Sequence, residues 1–93
     1  MTFGIGIWGI SPHSLNKILP SILNLKHADF KGFLSRKKTN SLVETNNFEI
    51  FSSQNQFLNN PKINLIIIST PPSLHYEHAK AALLAGKNII VDK

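Results

Sequence analysis

The 93-residue sequence predicts an α/β domain, a doubly wound parallel sheet of about five strands, and three observations carry that prediction. Short apolar runs alternate with stretches of helical periodicity, the order that builds a parallel sheet with crossover helices. Residues 64–70 (NLIIIST) are apolar almost without interruption, as a strand covered on both faces requires. Glycine, proline and serine punctuate the joins where strand must turn into helix.

The first strand is expected over residues 3–10 (FGIGIWGI), a compact apolar run whose closing glycine suits a tight turn. Ser11, Pro12 and Ser14 are helix openers. Leu15, Ile18, Ile22 and Leu25 then recur at helical spacing, with Pro20 expected to kink that helix or to push its regular part later. Residues 28–34 form the second strand, weakened by Gly32. A short helix is expected around residues 40–45, a third strand over 48–51, and another short helix over 52–60. Ser52 or Ser53 caps that last helix, and Phe57 and Leu58 turn inward. Pro71 and Pro72 end the strand at 64–70, and Ser73 caps a helix running to Ala85. Leu74, His75, Ala79, Ala82 and Leu83 share one face of that helix, and Gly86 stops it. A fifth strand covers residues 88–91, with Asp92 and Lys93 at its carboxyl end.

Composition narrows the function classes. No apolar run approaches the roughly 18 residues of a membrane helix, so no membrane partner is expected. The absence of cysteine excludes disulfides and thiolate metal sites, and fits a cytoplasmic location. No metal site is expected. The net charge of +5 admits a polyanion as partner. Only Arg36, Lys37 and Lys38 cluster, with no interleaved aromatics, so nucleic acid ranks low and a phosphorylated cofactor ranks above it.

A dinucleotide site needs a turn of the form G-x-G-x-x-G, where glycines let the backbone approach a pyrophosphate at a helix N-terminus. Here that stretch reads Gly9, Ile10, Ser11, Pro12, His13, Ser14, and only the first glycine is kept. The same residues also suit an ordinary strand-to-helix turn. Where an acid at the end of the second strand would bind the ribose of NAD, Ser35 stands, followed by Arg36 and Lys37. If a dinucleotide binds, three cations and no carboxylate favour NADP over NAD. The alternative is a solvated basic loop.

From Asn64 onward the chain strongly resembles the Gfo/Idh/MocA oxidoreductases, relatives of glucose–fructose oxidoreductase and inositol dehydrogenase. The residues that carry the resemblance are Thr70-Pro71-Pro72, His75 three positions on, the run A-L-L-A-G-K ending at Lys87, and Asp92-Lys93 where the family has E-K-P. G-I-W-G followed by L-P-S-I-L resembles the family's first strand and helix. The resemblance implies a Rossmann-like cofactor domain of an NAD(P)-dependent oxidoreductase acting on a sugar, polyol or related hydroxyl or carbonyl compound. It implies contacts of Thr70, Pro71 and Pro72 with the cofactor's ribose and nicotinamide half, His75 either ordering that loop at the cofactor or serving as a structural histidine bonded to nearby backbone, and Asp92 on the nicotinamide side. Lys93 would be the one catalytic residue. Relative to that family, residues 1–93 are expected to be a truncated N-terminal domain without the C-terminal substrate domain. Alone, such a piece is expected to bind cofactor without turnover, to meet substrate only with the missing domain, and to self-associate as a homo-oligomer. The second reading is a non-catalytic or vestigial nucleotide-binding module.

Overall fold

The computed structural model describes residues 3–35 and 48–92. Five parallel strands form one sheet in the order β3-β2-β1-β4-β5, the doubly wound arrangement expected. The strands are β1 (Phe3–Trp8), β2 (Ala28–Leu34), β3 (Ile50–Phe51), β4 (Leu65–Ile68) and β5 (Asn88–Val91). Between β1 and β2 run a π-helical segment (Ser14–Ile18) and the helix α1 (Leu19–Leu23). Helix α2 (Gln54–Leu58) joins β3 to β4, and α3 (His75–Leu84) joins β4 to β5. The expected helix around residues 40–45 lies outside the described residues.

Pro20 acts where the sequence placed it. Lacking an N–H, it cannot continue the ladder, and its ring crowds the carbonyl four residues back. The chain responds with the wider π segment up to Ile18 and then starts a regular helix with Pro20 in its first turn.

The sheet separates two apolar layers. On one face Ile5, Ile7 and Phe33 pack under Leu19 and Ile22. On the other, Trp8, Leu34, Ile66 and Ile68 pack against Phe57, Leu58 and Ala82. Two periodicity readings are corrected here. Leu25, placed on the buried face of the first helix, is 55% exposed, and Leu19 takes its place in the core. Leu83 is 57% exposed, because Ala82, with Ala79, Ala81 and Ala85 around it, carries the contact. Small residues there let α3 lie close to the sheet.

Caps follow the same pattern of partial agreement. Ser53 accepts from the Gln56 amide, as expected for α2. Ser73 does not cap α3. It sits inside a 3-10 turn (Pro72–Leu74) that the two prolines impose, and α3 begins only at His75 without a side-chain cap. At the other end Gly86, with φ +82°, closes the helix, and the Lys87 amide reaches back to the Ala82 carbonyl.

Lys87 also ties the lower edge of the fold. Its Nζ donates to the carbonyls of Asn60 and Ile63, both at 2.7 Å, and burial lowers its pKa from the usual lysine value. Beside it, Gly4 lies so close to the Lys62 carbonyl that no side chain fits between them.

Candidate functional site

The carboxyl ends of the strands form one continuous rim. Four backbone hydrogen bonds extend the ladder past the strands: Gly9 to Leu34, Ser35 to Phe51, Ser69 to Trp8, and Asp92 to Ile68, each 2.9 or 3.0 Å. They align the residues that follow β2, β1, β4 and β5 along the edge where open α/β sheets bind ligands. Gly9, Ser35, Thr70 and Asp92, far apart in sequence, thereby come to one rim.

A cavity of about 350 Å3 opens on this rim, within the roughly 300–1,000 Å3 typical of small-molecule sites. Of the residues singled out from the sequence, Gly9, Ser35, Thr70 and Pro71 line it. Ile10 does not; its side chain packs with the core on the α1 face. Pro72 is exposed at the start of the 3-10 turn, away from the cavity lining. His75 is not in the lining; its Nε2–H donates to the Thr70 carbonyl. Arg36, Lys37 and Lys93 lie outside the described residues.

Trp8, Leu34, Ser52, Gln54, Leu74 and His78 complete the lining. None of these was among the site residues expected from the sequence. His78 carried the clearest missed signal, since it follows His75 by three residues and so shares its helix face. Its ring stacks on Trp8 with centroids 4.0 Å apart and 15° between planes. Its Nδ1 meets Thr70 Oγ1 at 2.8 Å. Thr70 is therefore held twice from α3, by its carbonyl and by its hydroxyl, and the Trp8–His78 stack forms a rigid floor.

Gly9 fits the role of the first glycine of a phosphate turn. Its φ of +112° is costly for any L side chain, and a Cβ would come within 2.9 Å of the Ser69 carbonyl oxygen. The next turn differs. Ser14 Oγ accepts from the Ser11 amide at 2.9 Å, and Ser11 Oγ accepts from the Ser14 amide at 3.1 Å. The Ser14 hydroxyl, fully buried, donates to the Ser11 carbonyl at 3.0 Å. Two backbone donors that an anion would use already have acceptors. The cavity is thus open on the rim, while the turn after β1 satisfies its own amides.

Beyond that turn, His13 Nε2 contacts Asp92 Oδ2 at 2.9 Å, joining the segment after β1 to the end of β5. Among the described residues no cluster of three or more His, Asp or Glu is arranged for a metal, and no helix is long and apolar enough to cross a membrane.

Comparison with known proteins agrees with this geometry. The family model described as an oxidoreductase family with an NAD-binding Rossmann fold matches residues 3–93. A curated relative, scyllo-inositol 2-dehydrogenase (NADP(+)) IolW of Bacillus subtilis, is 40% identical over 45 residues, 48% of this chain and 13% of that protein. The uncharacterised oxidoreductase YhhX of Escherichia coli is 31% identical over 78 residues, 81% of this chain and 23% of that protein. A solved oxidoreductase from Bacillus cereus superposes with a TM-score of 0.90 at 27% identity, over 99% of this chain and 27% of that one. The matched part of this chain therefore spans 13% to 27% of these proteins' length.

Proposed function

Because this chain belongs to the Gfo/Idh/MocA oxidoreductase family, matched across residues 3–93 by its NAD-binding Rossmann-fold model, we propose that it is the cofactor-binding part of an NADP-preferring oxidoreductase. Its substrate class in the complete enzyme is a sugar, polyol or related hydroxyl or carbonyl compound. The observation that carries the proposal is the cavity on the carboxyl rim, with Gly9 at its mouth and the Trp8–His78 stack beneath. The relative named as an NADP(+)-dependent inositol dehydrogenase supports both the cofactor preference and the substrate class.

A bound nicotinamide dinucleotide supplies the hydride chemistry of such enzymes. The roles of this chain's own residues are to bind and to orient. Gly9 and Ser35 hold the nucleoside side of the crevice, and Thr70 and Pro71 meet the ribose and nicotinamide half. Arg36 and Lys37 offer charge to a 2′-phosphate, and an arginine guanidinium grips a phosphate bidentately. Asp92 lies toward the nicotinamide side. Lys93 holds or relays a proton at the substrate oxygen, a role it performs only with the substrate pocket of a second domain.

The chain contains a single tryptophan, and it lines the cavity. Titration with NADPH is accordingly expected to change its fluorescence at lower concentration than titration with NADH. In Arg36→Asp, NADPH affinity is expected to fall about ten- to hundred-fold, the range of a lost charge-assisted hydrogen bond, with NADH now preferred. No response of the unsubstituted protein to either cofactor would sink the dinucleotide reading. The second reading, a non-catalytic nucleotide-binding module, is favoured by one observation: the Ser11–Ser14 pair occupying its own phosphate donors.

Self-association belongs to the same proposal. β5 is an edge strand, and Ile90 and Val91 are 52% and 43% exposed. Unpaired apolar edges recruit other strands. Residues 1–93 expressed alone are expected to sediment as dimers or larger species. A single monomeric boundary at high protein concentration would contradict this.

A further inference from the structure

We propose that the His13–Asp92 contact is a strap across the nicotinamide side of the crevice, which a complete dinucleotide must open in order to seat. The inference rests on the dinucleotide reading above and goes beyond it, because it divides the rim into an open half and a closed half.

The strand order sets the geometry. β4 lies between β1 and β5, so a link from His13, after β1, to Asp92, after β5, passes over the carboxyl end of β4. That end carries Ser69 and Thr70, the centre of the rim. The cavity runs from Thr70 and Pro71 at the β4 end toward β2 and β3, where Leu34, Ser35, Ser52 and Gln54 line it, and neither His13 nor Asp92 is in its lining. A nucleoside can enter there without disturbing the strap. A second nucleotide leading toward β5 meets the strap in its path.

The neighbouring turn reinforces the division. Ser11 and Ser14 exchange hydrogen bonds at the foot of the segment that bears His13, with Ser14 fully buried. The segment is thus braced with His13 aimed at Asp92 and with two amides already engaged. The strap itself is weakly held. Its imidazole is 53% exposed and its carboxylate 28%, and solvent screens a pair of that kind. Ligand binding can open it, and it acts as a modest tax on affinity rather than a block.

Two probes and two variants test this, all read through Trp8 fluorescence, which neither variant touches. NADPH spans both halves of the rim, whereas adenosine 2′,5′-bisphosphate reaches only the open one. His13→Ala is expected to tighten NADPH about two- to five-fold, the range set by one largely exposed polar contact, and to leave the bisphosphate unchanged. His13→Gln, whose amide keeps a donor toward Asp92, is expected to stay near the unsubstituted protein for both. NADPH affinity that is unchanged or weakened in His13→Ala overturns the strap, weakening being the mark of a direct cofactor ligand. Equal tightening of both probes also overturns it, since the effect would not belong to one half. Failure of the unsubstituted protein to bind either probe removes the dinucleotide reading, and the strap with it.

Discussion

Phe57→Ala is expected to cost about 3–5 kcal/mol of stability, the usual range for emptying a buried aromatic site. Phe57 is fully buried. Its ring meets Phe51 edge-on at 5.6 Å and Trp8 at 6.4 Å, and it presses on Gly6, where a Cβ would come within 2.7 Å of it. Helix α2 has only five residues, too few to be stable alone, so it stays docked through Phe57 and Leu58. Marginal stability of about 0.05–0.15 kcal/mol per residue leaves a domain of this size little reserve. Urea denaturation should show the loss as a lower midpoint. A change below about 1 kcal/mol would mean that α2 is not part of the cooperative core. Loss of the ring also frees Trp8 beneath the cavity, so cofactor affinity should fall along with stability.

The second large effect is expected at Gly9, where stability and binding can be separated. Gly9→Ala must hold a side chain at φ +112° and push its Cβ against the Ser69 carbonyl and the Thr70 methyl. Strained backbone of that kind costs about 1–3 kcal/mol. Because Ser69 and Thr70 form the centre of the rim, displacing them should also weaken NADPH at least about ten-fold, or 1.4 kcal/mol. Gly86→Ala is the control. Its φ of +82° imposes comparable strain, but nothing lies within 4 Å of the added Cβ. It should lower the thermal midpoint and leave NADPH binding intact. If both variants bind NADPH alike, Gly9 serves the fold and not the crevice.

Most of the architecture was legible because strand and helix order follow from local pattern. Apolar runs of four to eight residues, broken by glycine and proline, read as buried parallel strands. All five strands occur where those runs lie, although the ends shift: the first stops at Trp8 instead of residue 10, and the third shrinks to Ile50–Phe51. The exposed leucines at 25 and 83 mark the limit of periodicity. It finds an apolar stripe without knowing how wide the facing surface is. Small alanines can make the contact instead, as Ala82 does.

The site was legible in a different proportion. Thr70 and Pro71 were found through a recognisable strand end, and Gly9 through its place in a glycine turn. Their convergence with Ser35 depends on parallel pairing of β1, β2 and β4, which sequence order implies once the sheet is doubly wound. Trp8, Ser52 and Gln54 were missed because no local pattern marks them as site residues, and His78 was missed although its spacing from His75 puts both on one helix face. Each becomes part of the rim only when strands distant in sequence lie side by side.

The sequence by itself determined the fold class, the family, and the residues at the strand ends, because apolar periodicity, turn chemistry and the Thr70-Pro71-Pro72 motif are local properties. Which of two local uses the serine-substituted glycine turn took, an anion or its own amides, is seen only in the structure. Ser11 and Ser14 each carry a hydroxyl able to reach an anion or a neighbouring amide. With Ser14 fully buried, each hydroxyl instead accepts from the other serine's amide. Likewise, nothing in the spacing of His13 and Asp92 announces a contact. They meet because β1 and β5 flank β4, and the sheet brings their carboxyl ends within reach of one side-chain contact.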